Sequence, residues 1–346
     1  MKQKYDVYDM WFSDHAGRRV MELWETAKDL GGTRAFYESD MMPSWKRNIG
    51  TYEKSYEKIN KSDIKVCSLW DGDYPELLKE IYDPPFLLYY KGKLPEKMTR
   101  ICGIVGSRKA TSYGKRLAYD FGKILGEHEV WVISGMALGA DSCAHKGCID
   151  GGGLTAAVLG SGADVCTPSS NRKLYEEIIE SGGCVLSEFL PGTPGYASNY
   201  PKRNRIISGM SENIIVTEAD EKSGTSVTAG MALEQGREVF ALPGNITSVM
   251  SRGTNRLIKE GATPLISVED ILWEMGIYDE HRKNKMPELS EAELKVLRII
   301  EKKGEVCIDE LQILYGKSSS ELYGIVTVLE IKGVILKNNG KIIIAK

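Results

Sequence analysis

Between residues 101 and 242 the chain repeats one pattern, and that pattern leaves few folds open to it. A short apolar run without polar alternation leads into a turn of small residues and then a helical segment. Residues 101–105 lead to Gly106-Ser107-Arg108 and a helix ending near Gly126; residues 130–133 lead to Ser134-Gly135 and a helix through Gly147. Residues 154–159 precede Gly160-Ser161-Gly162 and a helix from about Asn171 to Glu180, and 183–186 precede the loop at Pro191-Gly192. The run at 213–217 breaks at Glu218, passes Ser223-Gly224-Thr225 into a helix to Gly236, and is followed by the strand at 238–242. Uninterrupted apolar strands alternating with helices imply a parallel sheet covered on both faces. Ligands of such sheets lie beyond the carboxyl ends of the strands. Four small-residue turns fall at that edge and would line a groove.

The stretch 199–244 adds charge to that groove. Lys202, Arg203 and Arg205 bring three cations with no acid until Glu212. A Ser-Gly-Thr turn opening a helix offers backbone N–H groups at the positive end of the helix dipole, an arrangement suited to a phosphate. The formal net charge of the 346 residues is -3, which argues against coating nucleic acid by bulk charge but leaves room for a local basic groove. Seven cysteines, an odd number scattered along the chain, fit a reduced, cytoplasmic setting. No apolar leader opens the sequence and no run reaches a membrane span, so a soluble protein is expected.

Residues 1–65 carry irregular helical periodicity around Met10-Trp11-Phe12 and Val20-Met21-Leu23-Trp24 and read as a small helical accessory domain of SAM-like type. A connector follows, in which Pro84-Pro85 enforce an extended entry to a short apolar strand at 86–90. The core runs over 66–280, and His281 to Met286 is a charged linker. Residues 287–346 read as three helices and a hairpin turning at Asn339-Gly340, the pattern of a winged helix. Its third helix carries Glu321 and Glu330 against Lys332, a charge balance favouring packing or protein contact over entry into a major groove.

Eight segments in order, among them GIVGSRKATSYG, SGMALGADSCAHKG, YPKRNRIISGMS and EADEKSGTSVTAGMALEQGREVFALPGNI, resemble the DprA/Smf family of bacterial DNA-processing proteins over about residues 66–275. The resemblance implies an extended Rossmann-like core that binds single-stranded DNA, shields it from nucleases and loads the RecA recombinase in natural transformation. It also implies a homodimer, a variable helical N-terminal domain and, in many members, a C-terminal winged helix; from the residues themselves no cofactor, metal or catalysis is expected.

The residues expected to carry DNA binding follow. Arg108 at the mouth of the first strand can fork onto a phosphate while the Gly106 and Ser107 N–H groups complete the cradle. Arg203 and Arg205 diverge on a helix, so one can face DNA while the other meets an internal carboxylate such as Glu188 or Glu218; Asn204 can bond backbone or base. Ser223, Gly224 and Thr225 supply hydroxyl and N–H donors. Arg172 and Lys173 open the third helix beside the groove, and Tyr175 either stacks a base or joins the core. Cys143, His145 and Cys148 point apart on one helix and lack zinc spacing, so His145 and Asp141 are read as holding the helix start. No GxxxxGK[ST] stretch is present. The competing reading is a nucleotide-cleaving enzyme of the lysine-decarboxylase-like phosphoribohydrolase type, with Gly224-Thr225 and Glu234 as its parts. Leu257 and Ile258 are the expected apolar dimer contact.

Overall fold

The computed structural model describes residues 5–41, 47–221, 223–277, 289–332, 334–338 and 341–344. The chain divides into two compact units, 1–277 and 278–346.

The first unit opens with four helices, α1 (Val7–Ala16), α2 (Val20–Asp29), α3 (Thr33–Glu38) and α4 (Gly50–Asn60). Asp6 starts α1 through a reciprocal capping box with Asp9, which satisfies amides that the helix leaves open. Met10, Trp11 and Phe12 are buried. These helices do not enclose a core of their own. Phe12 stands edge-on to Phe86 at 4.9 Å between ring centroids, and Leu87 and Tyr89 belong to the same apolar cluster.

The sheet begins with β1 (Lys65–Ser68) and, after the short α5 (Glu76–Lys79), β2 (Leu87–Gly92). Then come β3 (Ile101–Val105), α6 (Ser112–Glu127), β4 (Trp131–Ser134), α7 (Ala140–Asp150), β5 (Thr155–Val158), α8 (Arg172–Glu180) and β6 (Cys184–Ser187). The unit continues with α9 (Asn199–Met210), β7 (Asn213–Val216), α10 (Gly224–Glu234), β8 (Glu238–Ala241), α11 (Arg252–Lys259), β9 (Thr263–Pro264) and α12 (Asp270–Glu274). Every residue of β3 to β7 is buried, as strands covered on both faces require.

The sheet order is β1-β2-β6-β5-β4-β3-β7-β8-β9. Pairing is parallel from β6 to β9, the Rossmann-like part. The wholly parallel expectation is corrected at one flank, where β2 runs antiparallel to β6 and β1 antiparallel to β2. The four-residue β1 and two-residue β9 are too short to carry a legible periodicity. Chain order reverses between β3 and β7, and sheets of this kind hold their ligands beyond the carboxyl ends of the strands at such a point.

In the second unit Ser290 and Glu293 form a capping box at the start of α13 (Glu291–Lys303), followed by β10 (Glu305–Cys307), α14 (Ile308–Tyr315) and α15 (Ser319–Ile331). β11 (Ile335–Asn338) and β12 (Lys341–Ile344) complete an antiparallel sheet of order β10-β12-β11. Val296, Ile300, Leu311, Leu322, Val326 and Ile335 form its core. The strand β10 was not evident in the sequence, and the expected Asn339-Gly340 turn and the 281–286 linker lie outside the described residues.

Candidate nucleic-acid interface

At the turns after β3 and β4 the backbone amides are already engaged within the protein. The Ser107 N–H donates to the Glu218 carbonyl at 2.8 Å. The buried carboxylate of Asp141 accepts from the Gly135 N–H at 3.1 Å and the Ala137 N–H at 3.4 Å, and the Gly106 amide beside it helps to hold its charge. The cradle placed at Gly106 and Ser107 is therefore corrected: an internal anion fills it. Close packing fixes its walls. A Cβ on Gly106 would lie 2.4 Å from Thr217 Oγ1 and 2.5 Å from the Ala140 Cβ. At Gly139, φ is +88° and a Cβ would approach the Ser107 carbonyl to 2.5 Å. Burial raises the Asp141 carboxyl above its ordinary range, offset by the Arg203 cation and the three amides. Glu218 is likewise internal, accepting from the Thr111 N–H and hydroxyl, both at 2.7 Å, at the start of α6.

The three cations of 202–205 separate by helical geometry. Pro201 sits inside the first turn of α9, where its missing N–H costs nothing, so the helix begins before the proline rather than after it. Arg203 is only 4% exposed. Its Nη1 donates to the carbonyls of Gly135 (2.6 Å) and Val158 (2.5 Å), sealing the ends of β4 and β5, and its Nε donates to Asn204 Oδ1. Burial depresses the Arg203 pKa, with Asp141 opposing. Asn204 is buried and its amide reaches the Gly224 carbonyl at 3.4 Å, tying α9 to the Ser-Gly-Thr turn. Arg205 donates to Asp83 at 3.1 Å and Glu188 at 2.6 Å, with all three side chains no more than 16% exposed. Thus Arg203 and Arg205 both face inward, where one was expected to face DNA. Lys202 is exposed beside a cavity of about 500 Å³ whose lining also includes Asp14, Glu80, Asp83, Glu188 and Glu234.

Arg108 differs from both. It is exposed, and among the described residues no carboxylate pairs with it. Its guanidinium lies 4.8 Å from the ring centroid of Tyr200, and Arg203 lies 5.9 Å from the same ring. Tyr200 is the functional candidate that the sequence reading missed. The available signal was an aromatic three residues before Arg203 on one helix face.

The other expected residues divide similarly. Ser223 caps α10 through the Ser226 N–H, Gly224 is exposed with open space around it, and Thr225 is buried. Arg172 and Lys173 are exposed at the start of α8, paired with Glu176 and Glu177 in the next turn. Tyr175 belongs to the core: it is 3% exposed, its hydroxyl donates to the Ala163 carbonyl at 2.6 Å, and it cannot present a face to a base. Leu257 also packs inside, in the cluster that holds Ile214 and Val239. Glu234 ends α10, ten residues from Gly224, or about 15 Å at 1.5 Å per residue, too far to act with Gly224-Thr225.

No cluster of three or more potential metal ligands occurs among the described residues. His145 is fully buried, its Nδ1 2.6 Å from the Thr155 hydroxyl, which donates in turn to the Val132 carbonyl. Burial first, and Arg203 second, push its pKa down to about 3. The unfolded chain therefore takes up this proton first, and the His145 contribution to stability is complete above about pH 6.5 and lost as pH falls toward 3. Urea melts across pH 7 to 4 should show a slope of up to about 1.4 kcal/mol per pH unit that His145→Gln removes. An unchanged slope in the variant would disprove this assignment.

Fold and rim define a class: a Rossmann-like α/β protein with an exposed arginine at the carboxyl end of its switch-point strand. The family model of DNA recombination-mediator protein A matches residues 65–276. DNA processing protein DprA of Streptococcus pneumoniae is 41% identical over 278 residues, covering 78% of this chain and 97% of that protein. The X-ray structure of DprA from that organism superposes with TM-score 0.66 and 32% identity, over 79% of this chain and 99% of the other. DNA processing protein A of Helicobacter pylori, solved to describe its single-stranded DNA binding mode, gives TM-score 0.54 and 25% identity over 61% of this chain and 95% of that one. The chain belongs to the DNA recombination-mediator protein A family, the DprA/Smf DNA-processing proteins. No described helix is long and apolar enough to cross a membrane.

Proposed function

We propose that the carboxyl rim of the sheet binds unpaired DNA without regard to sequence and without altering it. The observation that carries this reading is Arg108, an exposed guanidinium held over Tyr200 while its arginine neighbours are turned inward. A planar cation with open edges is suited to a phosphate, and an aromatic beside it to a base. Arg172 and Lys173 on one side, and Ser223 and Gly224 on the other with the buried Thr225 behind them, extend the track. The single-stranded DNA binding mode of the Helicobacter pylori relative supports the same ligand here.

From the family resemblance we further propose protection of incoming strands, loading of RecA in transformation or recombination, and action as a homodimer. The second unit, with its three helices and three-stranded sheet, fits a winged helix. Its third helix exposes Tyr323 and Val328 and engages Glu321 with Lys317 and Tyr315, which favours a protein partner over a DNA groove.

A mobility shift with oligo-dT and with duplex of equal length, across salt, tests the central claim. Preference for the single strand is expected, with log K falling against log salt at a slope of about -2 to -3 for three to four phosphate contacts. Equal affinity for duplex, or degradation of the strand, would overturn it. A RecA strand-exchange assay tests the loading step.

A further inference from the structure

The switch point of a doubly wound sheet ordinarily offers its loop amides to a ligand's phosphate. Here those amides converge on a side chain. Gly135 and Ala137, after β4, both donate to Asp141 Oδ2, the Gly106 amide at the end of β3 lends its field to the same carboxylate, and the side chain is shut away from solvent at 5% exposure. The buried guanidinium of Arg203 supplies the compensating positive charge from α9. Two N–H donors on one carboxylate oxygen, with a third amide and a buried cation acting on the same charge, resemble what a bound phosphate would receive.

We propose that Asp141 is a specificity-determining residue: its carboxylate occupies the anion place at the switch point and so excludes mononucleotides and free phosphate from the core. Phosphates are then held only by side chains farther out, at Arg108 and along the rim. A single phosphate meets too few of these to be retained, whereas a strand engages several at once. This selection of polymer over monomer rests on the proposed binding of unpaired DNA, yet the nest itself can be tested apart from it.

Two arms make the test, both on the full chain. In the first, amide spectra of the wild-type protein are followed during titration with dTMP and with inorganic phosphate. The Gly106 and Gly135 resonances should stay in place up to millimolar concentrations. Their saturable movement would overturn the proposal even if oligo-dT binds tightly. In the second, Asp141→Ala vacates a volume the size of a carboxylate, and formate is the probe. The variant should gain about 3 °C in Tm over equal chloride at ten times its dissociation constant for formate, with no gain in the wild type. A folded variant that formate does not stabilise beyond the wild type would also overturn it. Should Asp141→Ala fail to fold, the wild-type titration decides alone. Failure of the DNA-binding reading shows separately, as absent oligo-dT affinity with silent Gly106 and Gly135 amides.

Discussion

Arg108→Ala should lower affinity for every single strand alike, by about ten- to a hundredfold, and reduce the salt slope by about 0.7. The magnitude follows from losing one charge-assisted contact worth about 1.5–3 kcal/mol. No structural loss accompanies it, because the guanidinium is exposed and, among the described residues, touches Tyr200 without holding a carboxylate. The melting temperature should therefore stay within about 1 °C of the parent, since surface substitutions away from packed features cost little. Tyr200→Phe keeps the ring beneath the cation and should bind nearly as the parent does. Tyr200→Ala removes the platform and should weaken binding without changing the salt slope, because no phosphate contact is lost. Filter binding from 50 to 300 mM salt reads all three. Parental affinity in Arg108→Ala would take this residue out of the interface.

The second large effect is on stability. Arg205→Met should destabilise the first unit by up to about 3 kcal/mol, because the part-buried carboxylates of Asp83 and Glu188 lose the cation they share. A fall in Tm of the order of 10 °C is expected. Adding Asp83→Asn and Glu188→Gln should restore part of the loss, since the penalty lies in two part-buried negative charges that no longer share a cation rather than in the missing bridge itself. Binding by the folded variant should keep the parental salt slope. A variant that melts like the parent but loses a phosphate contact from its slope would mean that Arg205 faces the strand after all.

Those two arginines mark how far the sequence could be read. The parallel core was legible because β3 to β7 are short, largely apolar runs, and those of β3, β4 and β5 pass straight into turns of small residues. The identity of the rim was legible for the same reason. Three cations within four residues, by contrast, look alike in one dimension. Only helical phase and the position of α9 over β4 and β5 send Arg203 inward to the Gly135 and Val158 carbonyls and Arg205 toward Asp83. Glu188 could be named as a partner beforehand, yet Asp83, 122 residues away, could not. The filled cradle was hidden too, because it depends on residues 106, 135, 137 and 141 converging in space. Tyr175 and Tyr200 each stand near cations in the sequence. Burial alone separates the one that fills the core from the one beneath Arg108.

The helices at the amino terminus also change how this chain can be divided. Phe12 against Phe86, with Leu87 and Tyr89 in the same cluster, makes them a lid nailed to the antiparallel flank of the sheet. A fragment starting at the first strand would bare a greasy wall to water and stick to its neighbours. Substitutions on the outward side of this segment should therefore cost little, whereas polar ones on the inward side should loosen it from the wall.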